Sequence, residues 1–211
     1  FPLDNISENQ GSYSIELDHL HNNTTYYWNV VVSDGYNDDV VGDTWSFTTE
    51  ETTTITLSPT GDTYVNSVYP DNNYCDSNNL YAGGGMYNGY RTYLIFDFSN
   101  VPSGAVIPDG GWSIFLYQWQ VFPQVESGDD IVLFRSAGYW NECSVNWNNQ
   151  PDRDNTDIVT TEATNNENTW IEISDPNGQT FTELFRQMVS GSLPNYGFQI
   201  WNDFNSDTYV T

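Results

Sequence analysis

Tyr87 and Tyr90 flank a glycine-rich turn ahead of Arg91, and Trp119 closes an apolar run between Gln118 and Gln120. Flat aromatic rings stack on the C–H face of a pyranose while Asn, Asp or Arg reach its hydroxyls, so these three positions are the candidate sugar platforms. Oxygen-rich loops offer a second chemistry. Asp71 with Asp76, and Asp152 with Asp154 and Asp157, supply carboxylates of the kind that surround Ca²⁺ in sets of about six to eight oxygens. The stretches from Asp34 to Asp43 and from Asp203 to Asp207 are similar. None completes an EF-hand loop, and at any single loop a solvated acidic turn is the plainer reading. Ca²⁺ is the one cofactor expected. Catalysis has thinner support: His19 and His21 are the two histidines, and no nucleophile elbow, zinc-binding helix motif or phosphate-cradling loop is present. A non-catalytic protein is expected.

Charge narrows the partners. Four Lys+Arg stand against 29 Asp+Glu, for a formal net charge of -25 over 211 residues. All four cations are arginines (Arg91, Arg135, Arg153 and Arg186), too few and too scattered to neutralise phosphates along a face, which excludes nucleic acid. The same deficit argues against anionic lipid surfaces, and no apolar run is long enough to span a bilayer. Arg91 and Arg135 sit inside strand patterns, where an arginine ordinarily pairs with a carboxylate across the sheet; Asp62 and Asp97 are the expected partners. Asn5, Asn22 and Asn23 each begin an N-glycosylation sequon, and the polar uncharged bias suits an extracellular or cell-surface setting. Cys75 and Cys143 are either bridged or two free thiols, and spacing alone does not decide.

The elements that must hold these residues are strands. Aromatic residues make up 16% of the chain, and rings of this kind fit a pleated, half-buried surface. Alternation of Tyr13, Ile15 and Leu17, of Tyr26, Trp28, Val30 and Val32, and of Trp45 and Phe47 predicts three strands with one buried face. Residues 51–55 form a polar connector. Beyond it, short β-like runs separated by Pro, Gly, Asn and Asp clusters predict a sandwich or jelly roll from 56 to 211. One segment departs: Phe181, Leu184, Phe185 and Met188 recur at helical spacing, with Gly191 beyond as a stop.

Leu20, Thr24 and Tyr26, followed by the run Trp45-Ser46-Phe47-Thr48-Thr49, make residues 1–50 resemble the C-terminal half of a fibronectin type III domain, with Asn22 where that family usually has Pro. The resemblance implies that Tyr26 is a tyrosine corner, its hydroxyl bonded to backbone upstream. In the second region, Asp62-Thr63-Tyr64-Val65, Arg91 to Ser99 with Val101-Pro102, Trp140-Asn141-Glu142, Val145 to Pro151 and Asn195-Tyr196-Gly197-Phe198 resemble a DNRLRE-type domain. That family is similar to disaggregatase-related repeats of archaeal surface proteins and to a class of carbohydrate-binding modules. The expected fold is all-β: a partial fibronectin-like sandwich, then a jelly-roll-like sandwich with one short helix.

Two functions follow as expectations. In the first, half a sandwich leaves strands uncovered, so copies of the chain or adjacent surface domains complete it by strand addition, building an archaeal-type cell-surface filament, sheath or S-layer-like array. In the second, a carbohydrate-binding module with a fibronectin-like spacer, from a secreted polysaccharide-degrading enzyme, holds cell-surface or other glycan.

Overall fold

The computed structural model describes residues 17, 20–83, 89–102, 104–119, 130–175, 179–202 and 209–210. The chain divides into two compact units, Phe1–Ile55 and Thr56–Thr211. Its strands and one short helix give an all-β architecture, and among the described residues no helix is long and apolar enough to cross a membrane.

In the first unit, β1 (Thr25–Trp28) pairs antiparallel with β4 (Trp45–Thr48), placing Tyr26 opposite Phe47 and Trp28 opposite Trp45. Both cross-strand pairs bring their rings together, at 5.6 Å and 4.8 Å between centroids. Between them, β2 (Val31–Val32) and β3 (Val40–Val41) continue the hairpin. Its tip is an Asx turn: the Asp34 carboxylate accepts the Tyr36 and Asn37 N–H groups at 2.9 and 2.8 Å, which pulls its pKa down to about 2. The Tyr26 hydroxyl accepts the His21 N–H at 2.8 Å. Trp28, Val30 and Val32 lie on the face expected to be buried, yet all three are exposed. Among the described residues the hairpin has no opposing layer to cover them. The strand expected around Tyr13 and Ile15 lies outside the described residues.

The second unit is a sandwich. Its large sheet has the order β10 (Arg153–Glu162), β9 (Asp130–Ser136), β12 (Phe198–Asn202), β7 (Tyr90–Phe96); β5 (Pro59–Asn66) and β6 (Ala82–Gly83) both join β7, and β13 (Tyr209–Val210) joins β6. The opposing layer is an antiparallel ladder of β8 (Ser113–Gln118) and β11 (Thr169–Ser174) with helix α1 (Gln179–Ser190). The helix presents Phe181, Leu184 and Met188 to the core, because positions three, four and seven apart share one face. It stops at Gly191, whose φ of 76° and N–H bond to the Met188 carbonyl form a left-handed C-terminal cap.

Period-two alternation gives the large sheet two apolar faces. Leu94, Leu133, Phe198 and Ile200 face the ladder and helix, where they meet Ile114, Ile171 and Ile173 in the main core. Tyr93 and Val65 face the other way, into a smaller core closed by Trp140 and Val145 from the loop that follows β9. That loop is tied down at several points. The Asn73 carboxamide donates to the Glu142 and Val145 carbonyls at 2.7 Å each, Asn148 donates to Asp71, and a disulfide joins Cys75 to Cys143.

Candidate functional site

Gln118 ends β8 and Trp119 follows it, and the two faces of the ladder differ sharply. Ile114, Leu116 and Gln118 of β8 turn inward with Ile171 and Ile173 of β11. The alternate positions turn outward and are large aromatics: Phe115 is 58% exposed, Tyr117 51% and Trp170 65%. Register puts Trp170 directly opposite Tyr117 and Glu172 opposite Phe115. The Tyr117 and Trp170 rings meet edge to face at 5.3 Å. Trp119, the sequence-predicted platform, lies immediately beyond the strand and is 48% exposed, so the outward period of two runs on through Phe115, Tyr117 and Trp119. Glu172, held by a 2.6 Å bond from the Ser113 hydroxyl, is the acid on this face.

A surface of this kind is unusual, because solvated aromatics grouped on one flat face mark a binding site far more often than rings scattered singly. Residues two apart on a strand repeat about every 7 Å, so the row offers successive apolar plates with a polar carboxylate alongside. The arrangement suits stacking on a chain of sugar rings.

Phe115 and Tyr117 escape a simple apolar-polar reading of the sequence, since Ile114 and Leu116 on the other parity are apolar too, whereas Trp170 shares its parity with Glu172. The usable signal is the split between kinds: aliphatics occupy one parity and aromatics the other.

The other predicted residues fall elsewhere. Tyr90 is half-buried in a cluster with Tyr64 and Tyr81, at 6.0 and 5.5 Å, rather than standing open. Burial, then the neighbouring phenols of Tyr74, Tyr81 and Tyr90, pushes the Tyr64 hydroxyl up to about 12. Tyr87 lies outside the described residues. The candidate calcium ligands do not converge: Asp71 accepts from Asn148, Asp76 and Asp152 are exposed on separate loops, and Asp154 is bound to Arg135. The side chain of Asp157 lies outside the described set, as do Asp203 and Asp207. Among the described residues no three His, Cys, Asp or Glu side chains group as metal ligands do. Asn5 is likewise outside; Asn22 and Asn23 are exposed, with the Asn22 carboxamide bonded to the Thr52 hydroxyl.

The arginine partners need correction. Arg135 pairs with Asp154 at 3.2 Å, not with Asp62 or Asp97, because Asp154 is its cross-strand neighbour on β10. Among the described residues Arg91 meets a carboxamide and two rings: it donates to Gln150 at 3.1 Å, and its guanidinium lies 4.7 Å from the Trp147 ring and 4.5 Å from the Trp201 ring. Asp97 caps its own turn, accepting the Ser99 N–H and hydroxyl, which hold its pKa low.

Asp62 sits instead beside Glu142, and burial, reinforced by that neighbouring acid, raises its pKa. A carboxyl whose folded pKa exceeds its unfolded value opposes folding once it ionises, and the penalty fades as pH falls through the folded value. Asp62→Asn is therefore expected to raise Tm at pH 7 by about a degree or two, the site being partly solvated. The gain should shrink toward pH 4; thermal melts at the two pH values read it directly.

Residues 53–175, more than half of the 211, match carbohydrate-binding module family 96. The matched span contains both strands of the aromatic ladder. No curated protein matches the chain.

Proposed function

Since the chain belongs to carbohydrate-binding module family 96, we propose that its second unit binds a polysaccharide along the outer face of the β8–β11 ladder, as a non-catalytic module of a secreted protein. One observation carries the reading: Phe115, Tyr117 and Trp170 stand solvent-exposed on one face, in register, with Trp119 next in the row. Each ring buries apolar area against a sugar's C–H face at little entropic cost, since a strand-borne aromatic has few rotamers to lose.

The formal charge of -25 favours a neutral glycan, or an acidic one bridged by cations. Ca²⁺ enters this proposal in that bridging role. The family match favours this reading over the cell-surface filament expected first. An extracellular setting agrees with the Cys75–Cys143 bridge, since disulfides persist in oxidising compartments.

The first unit fits the C-terminal part of a fibronectin type III-like sandwich serving as a spacer, a reading supported by the Tyr26 hydroxyl accepting the His21 N–H and by the β1–β4 pairing. The finer DNRLRE likeness of the second unit is supported by the placement of its motifs: Trp140 and Val145 close the smaller core, and Gly197 opens β12. Binding of the full chain to a panel of neutral and uronate-containing polysaccharides, with Ca²⁺ and with EDTA, tests the proposal. Retention on at least one polysaccharide is expected, with EDTA weakening acidic ligands only; no retention on any member in either buffer would remove it.

A further inference from the structure

The rings of the row share one face of the ladder without sharing one plane. Tyr117 and Trp170 meet with their planes 67° apart, so no flat surface lies against both rings at once. Strand geometry carries the same point along β8. Among the described residues the ladder has two strands, and two-stranded ribbons twist more than broad sheets, which turns each outward position relative to the one before it. Phe115, Tyr117 and Trp119 therefore form a twisting line of plates, about 13 Å from end to end at the ordinary rise of a strand.

The flank of that line is charged. Register puts Glu172 opposite Phe115, exposed on the same face and held by the Ser113 hydroxyl at 2.6 Å, so the apolar strip is one ring wide there. Among the described residues no arginine forms a salt bridge with it. A solid laid across the face would strip water from this carboxylate without pairing it, which is costly for an ionised group. A narrow ligand seated on the rings leaves it wet.

Resting on the reading of the row as a glycan platform, we infer that the platform takes one hydrated polysaccharide chain at a time and not the face of a crystalline polysaccharide. A free chain turns about its glycosidic bonds, so successive sugars present their C–H faces to plates that are rotated relative to one another. On a crystal of cellulose or chitin, lattice packing holds every sugar of the exposed face in one plane. Between Tyr117 and Trp170 the crossed rings make a two-walled seat: one sugar stacks on one ring and lies edge-on to the other. Glu172 stays solvated on the open side, where its carboxylate accepts from sugar hydroxyls.

Two measurements on the full chain test this. One is retention on powders of crystalline cellulose and crystalline chitin; the other is calorimetric titration with soluble oligosaccharides of increasing length cut from the polysaccharide that the chain binds best. Affinity is expected to climb tenfold or more from the disaccharide to an oligosaccharide that spans the row, and then to level off. The longest oligosaccharide is expected to displace whatever protein the powders retain. Retention on a powder that this oligosaccharide leaves in place and that Tyr117→Ala/Trp170→Ala abolishes overturns this inference alone, as does an affinity that stops rising at the disaccharide. Failure to bind any polysaccharide, soluble or solid, overturns it together with the platform reading.

Discussion

Gly197→Ala is expected to lower the Tm of the second unit by about 10 °C. Gly197 has a φ of 72°, a left-handed conformation that costs an L-residue roughly 1–2 kcal/mol. Space makes the matter worse. A Cβ there would lie 2.2 Å from the Leu94 carbonyl oxygen and 3.0 Å from the Ile95 Cα, both backbone atoms of the central strand β7. Relief requires parting β12 from β7 or swinging the turn held by Asn195, which bonds the Gly197 N–H and the Phe96 carbonyl. Forced overpacking adds about 1–3 kcal/mol, so a total near 3 kcal/mol or more is expected. Gly191→Ala is the control: its φ is 76°, but the added methyl would meet nothing within 4 Å, so the conformational cost alone applies. Thermal unfolding of the two variants side by side separates the terms. Equal losses would mean that the close approach to β7 is not real.

The second large effect concerns the Cys75–Cys143 bridge, which closes a sequence separation of 68. A loop of that length, cross-linked, removes about 4 kcal/mol of unfolded-chain entropy in the simple model, and measured values commonly run about 2–4 kcal/mol. Replacing both cysteines with serine should therefore lower Tm by about 10 °C. The damage should be local at lower temperature. The bridge fastens the loop over the smaller core of Val65, Tyr93, Trp140 and Val145, while the aromatic ladder backs onto the main core on the other face of the same sheet. Asn73, with two 2.7 Å bonds to that loop, also remains in the variant. Glycan binding at 10 °C is thus expected to survive in a protein that melts early. An unchanged Tm, or binding lost while the protein is still folded, would contradict this division of labour.

How far the sequence reveals all this depends on the range of the interaction. The helix is legible because its information is local: Phe181, Leu184, Phe185 and Met188 form one stripe and Gly191 ends it, and the helix is observed as Gln179–Ser190. The long strands of the second unit are legible from their alternation. The motif from Val145 to Pro151 is visible as a motif, but its work is not. Gln150 accepts from both Arg91 and Tyr93, at 3.1 and 3.0 Å and across more than fifty residues, and no local pattern announces that meeting. Arg135 shows the same limit, since its pairing with Asp154 depends on the register of β10 against β9, which shifts between Asp154 and Ile158. The aromatic row of the proposed platform is half legible. Trp119 is singled out in the sequence and Trp170 shares the parity of Glu172, whereas Phe115 and Tyr117 alternate with Ile114 and Leu116 in an apolar run whose outward parity the folded ladder decides.

Removing the row's two facing rings tests the platform most directly. Tyr117→Ala/Trp170→Ala deletes side chains that are more than half exposed and touch each other across the ladder, so its thermal unfolding should match the parent within a few degrees. Titrated with the polysaccharide that the parent chain binds best, the double variant is expected to lose about 30-fold or more in affinity, the loss typical of aromatic anchors worth about 2 kcal/mol. A folded double variant that binds as tightly as the parent would place the glycan site somewhere other than the β8–β11 face.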